Sequence, residues 1–171
     1  MVELALRYQA TPGGRIALWS DWGSHDPTKQ IVIIVHGALR DARALSHWAT
    51  RFQGTTDVVL LELPGHGRSD PIPSPTVVSM ADHILSAVSD SFRNRKVTMV
   101  CESLGGLIGL EIAGRSETGP ITNVIACDPP MTTAKLWNVQ NNLLRILNDK
   151  TLNSIFKEEF SKIFWVFGKW G

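Results

Sequence analysis

The sequence predicts an α/β fold: a mostly parallel sheet with helices on both faces and an antiparallel hairpin at its start. Three observations carry that expectation. Four short, continuous apolar runs recur along the chain, Ile31–Val35, Asp57–Leu63, Val97–Cys101 and Ile121–Cys127. Runs of this length read as strands buried on both faces, the habit of parallel sheets. Segments with apolar residues at helical spacing lie between them. Ahead of them, two strand-like stretches flank Pro12-Gly13-Gly14, a turn signal. Alternation of strand and helix calls for right-handed crossovers in one sheet.

Taken in order, Glu3–Ala10 and Arg15–Trp22 are the expected hairpin strands at the edge of the sheet. Ile31–Val35 follows as the first buried strand, and Leu45, Trp48, Ala49 and Phe52 mark a helix after it. Asp57–Leu63 is the next strand. Ala81, Ile84, Leu85, Val88 and Phe92 form the clearest helical stripe. Val97–Cys101 leads into a helix diluted by Gly105, Gly106, Gly109 and Gly114, and Ile121–Cys127 closes the sheet part. After Pro129-Pro130 the pattern changes. Leu136, Val139, Leu143, Leu144 and Leu147 make one amphipathic stripe, and Leu152, Ile155, Phe156, Phe160, Ile163, Phe164 and Phe167 another. The expected organisation is a core over residues 1–130 and a helical segment over 131–171, whose apolar face needs a cover.

Composition narrows the function classes. Seventeen Lys+Arg oppose 16 Asp+Glu, so no charge excess points to nucleic acid or an acidic membrane surface. No apolar run approaches the roughly 18–20 residues of a membrane span, and the N-terminus does not read as a signal peptide. Cys101 and Cys127 cannot build a disulfide framework and fit a reducing cytoplasm as two buried thiols. His25, His47 and His83 show no metal-ligand spacing and are expected at the surface. Gly65-His66-Gly67 lacks the further residues of a phosphate-binding loop. No metal and no cofactor is expected.

Ser103 carries the chemistry. In Cys101-Glu102-Ser103-Leu104-Gly105-Gly106 it stands between a buried strand and a helix. A serine on such a sharp turn exposes its hydroxyl at the carboxyl end of the sheet, and small neighbours two places away let the backbones approach. Gly105 meets this need downstream, and Cys101 takes the upstream position where glycine is usual. The helix start beside it offers free N–H groups, that of Leu104 first, to a developing oxyanion. His36-Gly37-Ala38, after the first buried strand, can aim the Ala38 N–H at the same oxygen; His36 is read as orienting that turn rather than as a base. Leu63-Pro64-Gly65-His66-Gly67-Arg68-Ser69-Asp70 follows the next strand.

With these three motifs in this order, the sequence resembles the α/β-hydrolase family from roughly Leu4 to Pro130. The resemblance implies a serine nucleophile at Ser103, an oxyanion hole from Ala38 and Leu104, structural roles for His36, Gly37, Gly65, Gly67 and Gly105, and a cap or lid where 131–171 stand. It also implies a triad in the chain order nucleophile, acid, histidine. All five histidines precede Ser103, and Asp128 is the one carboxylate placed where some members carry the acid. The chain is therefore expected to be the N-terminal portion of a serine hydrolase for an ester, thioester or similar small carbonyl compound, stopping inside the cap and inactive alone. A non-catalytic binding or assembly module is the alternative. Ile121–Cys127 is expected to be an exposed edge that promotes self-association.

Overall fold

A computed structural model of the chain describes residues 4–129. Strands β1 (Ala5–Thr11) and β2 (Gly14–Ser20) form the hairpin, and β3 (Ile31–Val35), β4 (Asp57–Leu61), β5 (Val97–Glu102) and β6 (Ile121–Cys127) follow. Helices α1 (Ser46–Phe52), α2 (Val77–Phe92) and α3 (Leu104–Ala113) alternate with them. The expected alternation of strand and helix is what the described residues show. The helical segment expected over 131–171 lies outside them.

The six strands make one sheet in the order β1-β2-β4-β3-β5-β6. β1 pairs antiparallel with β2 and β2 antiparallel with β4, while β4, β3, β5 and β6 run parallel. From β3 the chain moves outward to β4, then crosses back to β5 on the other side of β3. The loops leaving β3 and β5 therefore diverge at the carboxyl end of the sheet. Such a switch point opens a crevice, the place where open α/β sheets bind ligands.

The parallel strands are buried on both faces. Ile31, Ile33 and Val35 of β3 and Val97, Met99 and Cys101 of β5 join Ala81, Ile84 and Val88 of α2 and Ile108 and Ile112 of α3 in one apolar cluster. The alternate residues Val32, Ile34 and Val100 point to the opposite face and are equally buried. Ala49 and Phe52 of α1 are buried outside that cluster. α2 starts cleanly because Thr76 accepts from Ser79 N while Ser79 Oγ accepts from Thr76 N, a reciprocal cap.

Several boundaries differ from expectation: β1 is shifted to Ala5–Thr11, β2 starts at Gly14, and β5 runs on to Glu102. β2 ends at Ser20, and Trp22 opens a 3₁₀ turn instead of ending the strand. β4 stops at Leu61 rather than Leu63, because Pro64 has no N–H to donate and restrains the residue before it. Helix formation around Leu45 is also split: Ala42–Leu45 is a 3₁₀ turn capped by the Asp41 side chain, and α1 begins only at Ser46.

Candidate active site

Ser103 sits between the last residue of β5 and the first of α3, with φ +50° and ψ −114°. A non-glycine residue rarely adopts that backbone, which costs on the order of 1–3 kcal/mol and persists only where the surroundings impose it. The surroundings do so from two sides. Ser103 N–H donates to Cys127 O at 2.9 Å, and Leu107 N–H donates to Ser103 O at 3.1 Å. The turn is thus tied to β6 and to its own helix. The Ser103 hydroxyl makes no hydrogen bond among the described residues, so its lone pairs are uncommitted. Leu104, the first helical residue, has an N–H with no partner inside the helix.

Close packing explains the glycine at 105. A Cβ there would lie 2.7 Å from His36 O and 2.9 Å from Val35 O, so the start of α3 crosses directly over the exit of β3. That crossing brings the loop after β3 beside Ser103. A Cβ on Gly37 would lie 2.9 Å from Ser103 Cβ and 3.5 Å from its Oγ. Ala38 is exposed, and Leu39, next to it, is 98% exposed with φ +60°.

His36 is buried, and both of its ring nitrogens are in use. Nδ1–H donates to Gly37 O at 2.7 Å, and Nε2 accepts from Leu63 N–H at 3.1 Å. This pattern fixes a neutral imidazole with the proton on Nδ1, and burial pushes its pKa below the ordinary value. The ring joins the loop after β3 to the loop after β4 and has no nitrogen left to take a proton from Ser103. His66 lies 5.4 Å from it, ring to ring, with its Nδ1–H donating to Pro64 O.

The loop after β4 is held by Glu62, which sequence reasoning passed over. This buried carboxylate accepts from Arg68 N–H at 2.5 Å and Ala42 N–H at 3.3 Å. Gly65 and Gly67 both take positive φ, and a Cβ on Gly67 would run into that carboxylate. At the far end of the loop, Asp70 receives a bidentate pair from Arg15 at 2.9 and 3.0 Å, and the Arg15 side chain holds its pKa below the usual carboxylate range. Asp128 follows β6, exposed and with φ +48°, and has no hydrogen-bond partner among the described residues.

The two cysteines lie on adjacent strands, buried and unbridged. Burial pushes the Cys101 thiol well up, and burial with the nearby Glu102 and Asp128 charges takes Cys127 to about 12. Neither is a thiolate nucleophile at neutral pH. No group of His, Cys, Asp and Glu among the described residues could hold a metal ion, and none of their helices is long and apolar enough to cross a membrane.

Two histidines expected at the surface are not there. His83 is half-buried and bonds Thr11 Oγ1 at 2.8 Å. His25 is enclosed at the opposite end of the sheet from Ser103, where its Nε2 lies 2.7 Å from Ser20 Oγ and its Nδ1 3.9 Å from Asp57 Oδ2. The correction has a physical cause: the 3₁₀ turn after β2 folds His25 back under the start of β4. His47 is exposed, as expected. A Ser-His-Asp group thus exists in the molecule, but its serine is spent. Ser20 Oγ–H donates to Val58 O at 2.5 Å, so the imidazole can only donate to that oxygen, and Ser20 is 1% exposed. Arg95 pairs with Asp57 at 2.7 Å in the same cluster, beside a cleft of about 260 Å³ that Ser20, His25 and Lys29 help to line.

Comparison with known proteins agrees with this geometry. The sequence profile of the alpha/beta hydrolase fold matches residues 30–161. The pimeloyl-[acyl-carrier protein] methyl ester esterase of Proteus mirabilis (strain HI4320) is 30% identical over 92 residues, 54% of this chain and 34% of that protein. Among solved structures, the thioesterase domain from the curacin biosynthetic pathway superposes with a TM-score of 0.64 at 22% identity, covering 82% of this chain and 53% of that one. Naproxen esterase (carboxylesterase NP) from Bacillus subtilis gives 0.66 at 16% identity, covering 91% and 54%. The chain spans about a third of the curated relative and about half of these solved chains. With its sheet order, its strained serine at the switch point and the profile match over most of its length, the chain belongs to the alpha/beta hydrolase family.

Proposed function

We propose that Ser103 is the nucleophile of a serine hydrolase acting on an ester, thioester or related small carbonyl compound. The observation that carries this reading is the strained backbone of Ser103 at the exit of β5, with a free hydroxyl beside the loop after β3. Ser103 Oγ attacks the carbonyl carbon, the Ala38 and Leu104 N–H groups hold the oxyanion, and the alcohol or thiol departs with the proton taken from Oγ. Water then cleaves the acyl-serine ester. The names of the relatives, esterases and a thioesterase, support this bond class and do not favour a non-catalytic assembly module. Asp128, at the exit of β6, is the acid of the triad in this reading.

In this reading the general base is neither His36 nor a histidine that follows Ser103. His36 has both nitrogens engaged, and no histidine follows Ser103. A serine without its base is a weak nucleophile, so the chain by itself turns over slowly or not at all. The test is labelling with a fluorophosphonate probe. Slow labelling that disappears in Ser103→Ala, with no multiple-turnover ester hydrolysis, is expected. Label that persists in Ser103→Ala overturns the nucleophile assignment. Fast stoichiometric labelling at Ser103 overturns the missing base.

The compartment in this reading is the cytoplasm, consistent with two unbridged thiols. β6 is the outer strand among the described residues, and we expect it to recruit a second copy of the isolated chain. Light scattering that reports a clean monomer at micromolar concentration counts against that.

A further inference from the structure

Glu102 lies immediately before Ser103, half-buried at the end of β5. Its carboxylate collects both ends of the loop that faces the serine. Gly37 N–H donates to Oε2 at 3.3 Å, and Arg40 Nη1 donates to Oε1 at 3.0 Å and to Oε2 at 3.3 Å. Ala38 and Leu39 are the two residues between those anchors, and the Leu39 backbone is in the left-handed region at φ +60°. One side chain therefore closes a small ring from Gly37 through Ala38 and Leu39 to Arg40 and back to the elbow. The residues lie more than sixty positions apart in sequence, so the ring is a product of the β3–β5 pairing.

The ring carries an electrostatic cost that its other member offsets. A bare carboxylate beside a developing oxyanion repels it, whereas a carboxylate held by a guanidinium presents little net charge. Arg40 is half exposed, so the pair adds little to global stability. Its value lies in where it holds the loop.

We propose that Glu102 is a positioning residue that fixes the Ala38 N–H against Ser103, and that Arg40 both completes the clamp and cancels the Glu102 charge at the oxyanion. The proposal rests on the Ser103 reading above for its catalytic meaning, but its geometry does not. The groups facing the Glu102 carboxylate are Arg40 from the loop after β3 and the Cys127 thiol from β6, with Asp128 next to it.

Two readouts separate the clamp from the nucleophile assignment. The first is amide hydrogen exchange of Gly37, whose N–H donates to Glu102, followed by NMR. Glu102→Ala and Arg40→Ala should each raise exchange at this amide by about tenfold or more, while core amides in β3 and β5 stay protected. Arg40→Lys, which keeps a donor and the charge, should restore much of the protection. The second readout is the rate of fluorophosphonate labelling at Ser103. Arg40→Ala should label about tenfold more slowly than the wild type, and the Arg40→Ala/Glu102→Gln double variant should label faster than Arg40→Ala, because it removes the uncompensated charge. Loss of packing alone makes the double variant no better than the single one.

Unchanged Gly37 exchange in a folded Glu102→Ala protein overturns the clamp. A double variant no faster than Arg40→Ala overturns the charge compensation. If the wild type takes no label at all, the nucleophile reading falls and amide exchange alone decides the clamp.

Discussion

The two ends of the sheet each present a serine, and they invert each other. At the carboxyl end, Ser103 has a strained backbone and a hydroxyl without a hydrogen-bond partner among the described residues, and both nitrogens of the neighbouring His36 are engaged elsewhere. At the amino end, Ser20 has ordinary strand backbone, with His25 and Asp57 at its side, and its hydroxyl is committed to Val58 O. Residue types alone would rank Ser20 first. Geometry reverses the ranking, because a nucleophile needs an accessible lone pair and a site open to substrate, and the second serine is buried with its proton already donated. The amino end is built for stability, and the carboxyl end holds strain that the rest of the fold must absorb.

That contrast can be broken by mutation, beginning where the effect is largest. Asp57→Ala at the amino end strands the Arg95 guanidinium in a buried setting and should cost about 3–5 kcal/mol, read as a lower midpoint in urea unfolding. A cost below about 1 kcal/mol would remove the amino end from the list of stabilising centres. Ser103→Gly at the carboxyl end should do the opposite. It relieves the positive φ and should stabilise the chain by about 1 kcal/mol in the same experiment. A destabilised Ser103→Gly would mean that the elbow is not strained.

The smallest effect comes from the two histidines at opposite ends. Burial lowers the pKa of both His25 and His36 from the ordinary 6.5. The unfolded chain therefore takes up these protons first as pH falls. Stability from both groups is full above about pH 6.5 and declines as the pH drops below it. A thermal midpoint recorded from pH 8 to pH 5 should fall gradually over that range, and a flat profile would show that neither ring pays for protonation in the fold.

Sequence patterns revealed the carboxyl end far better than the amino end. The buried strands announce themselves as continuous runs such as Ile31–Val35, and Ser103 announces itself because strand, serine, glycine and helix follow one another locally. His25, Ser20 and Asp57 come from three separate elements that only the antiparallel β2–β4 contact brings together, so no local spacing marks them. The Glu102–Arg40 pair and the Glu62 carboxylate were equally silent, since each acts across a crossover. A buried charge at a strand exit, in front of a glycine-rich loop, is the one sequence signal that could have pointed to Glu62.

The β2–β4 contact has a further consequence. Only two register pairs, Leu18 with Leu61 and Trp19 with Leu60, join the hairpin to the parallel strands, whereas β3 shares five with β4 and five with β5. Ser20 to Val58, Ser69 to Ala17 and Arg15 to Asp70 extend that narrow seam by side chains. Backbone bonds from Glu62 N–H to Ala17 O and from Asp70 N–H to Arg15 O, with Ile16 and Leu18 buried in the common core, fasten the hairpin where the ladder does not, so the loop ending at Asp70 serves as its second attachment to the sheet.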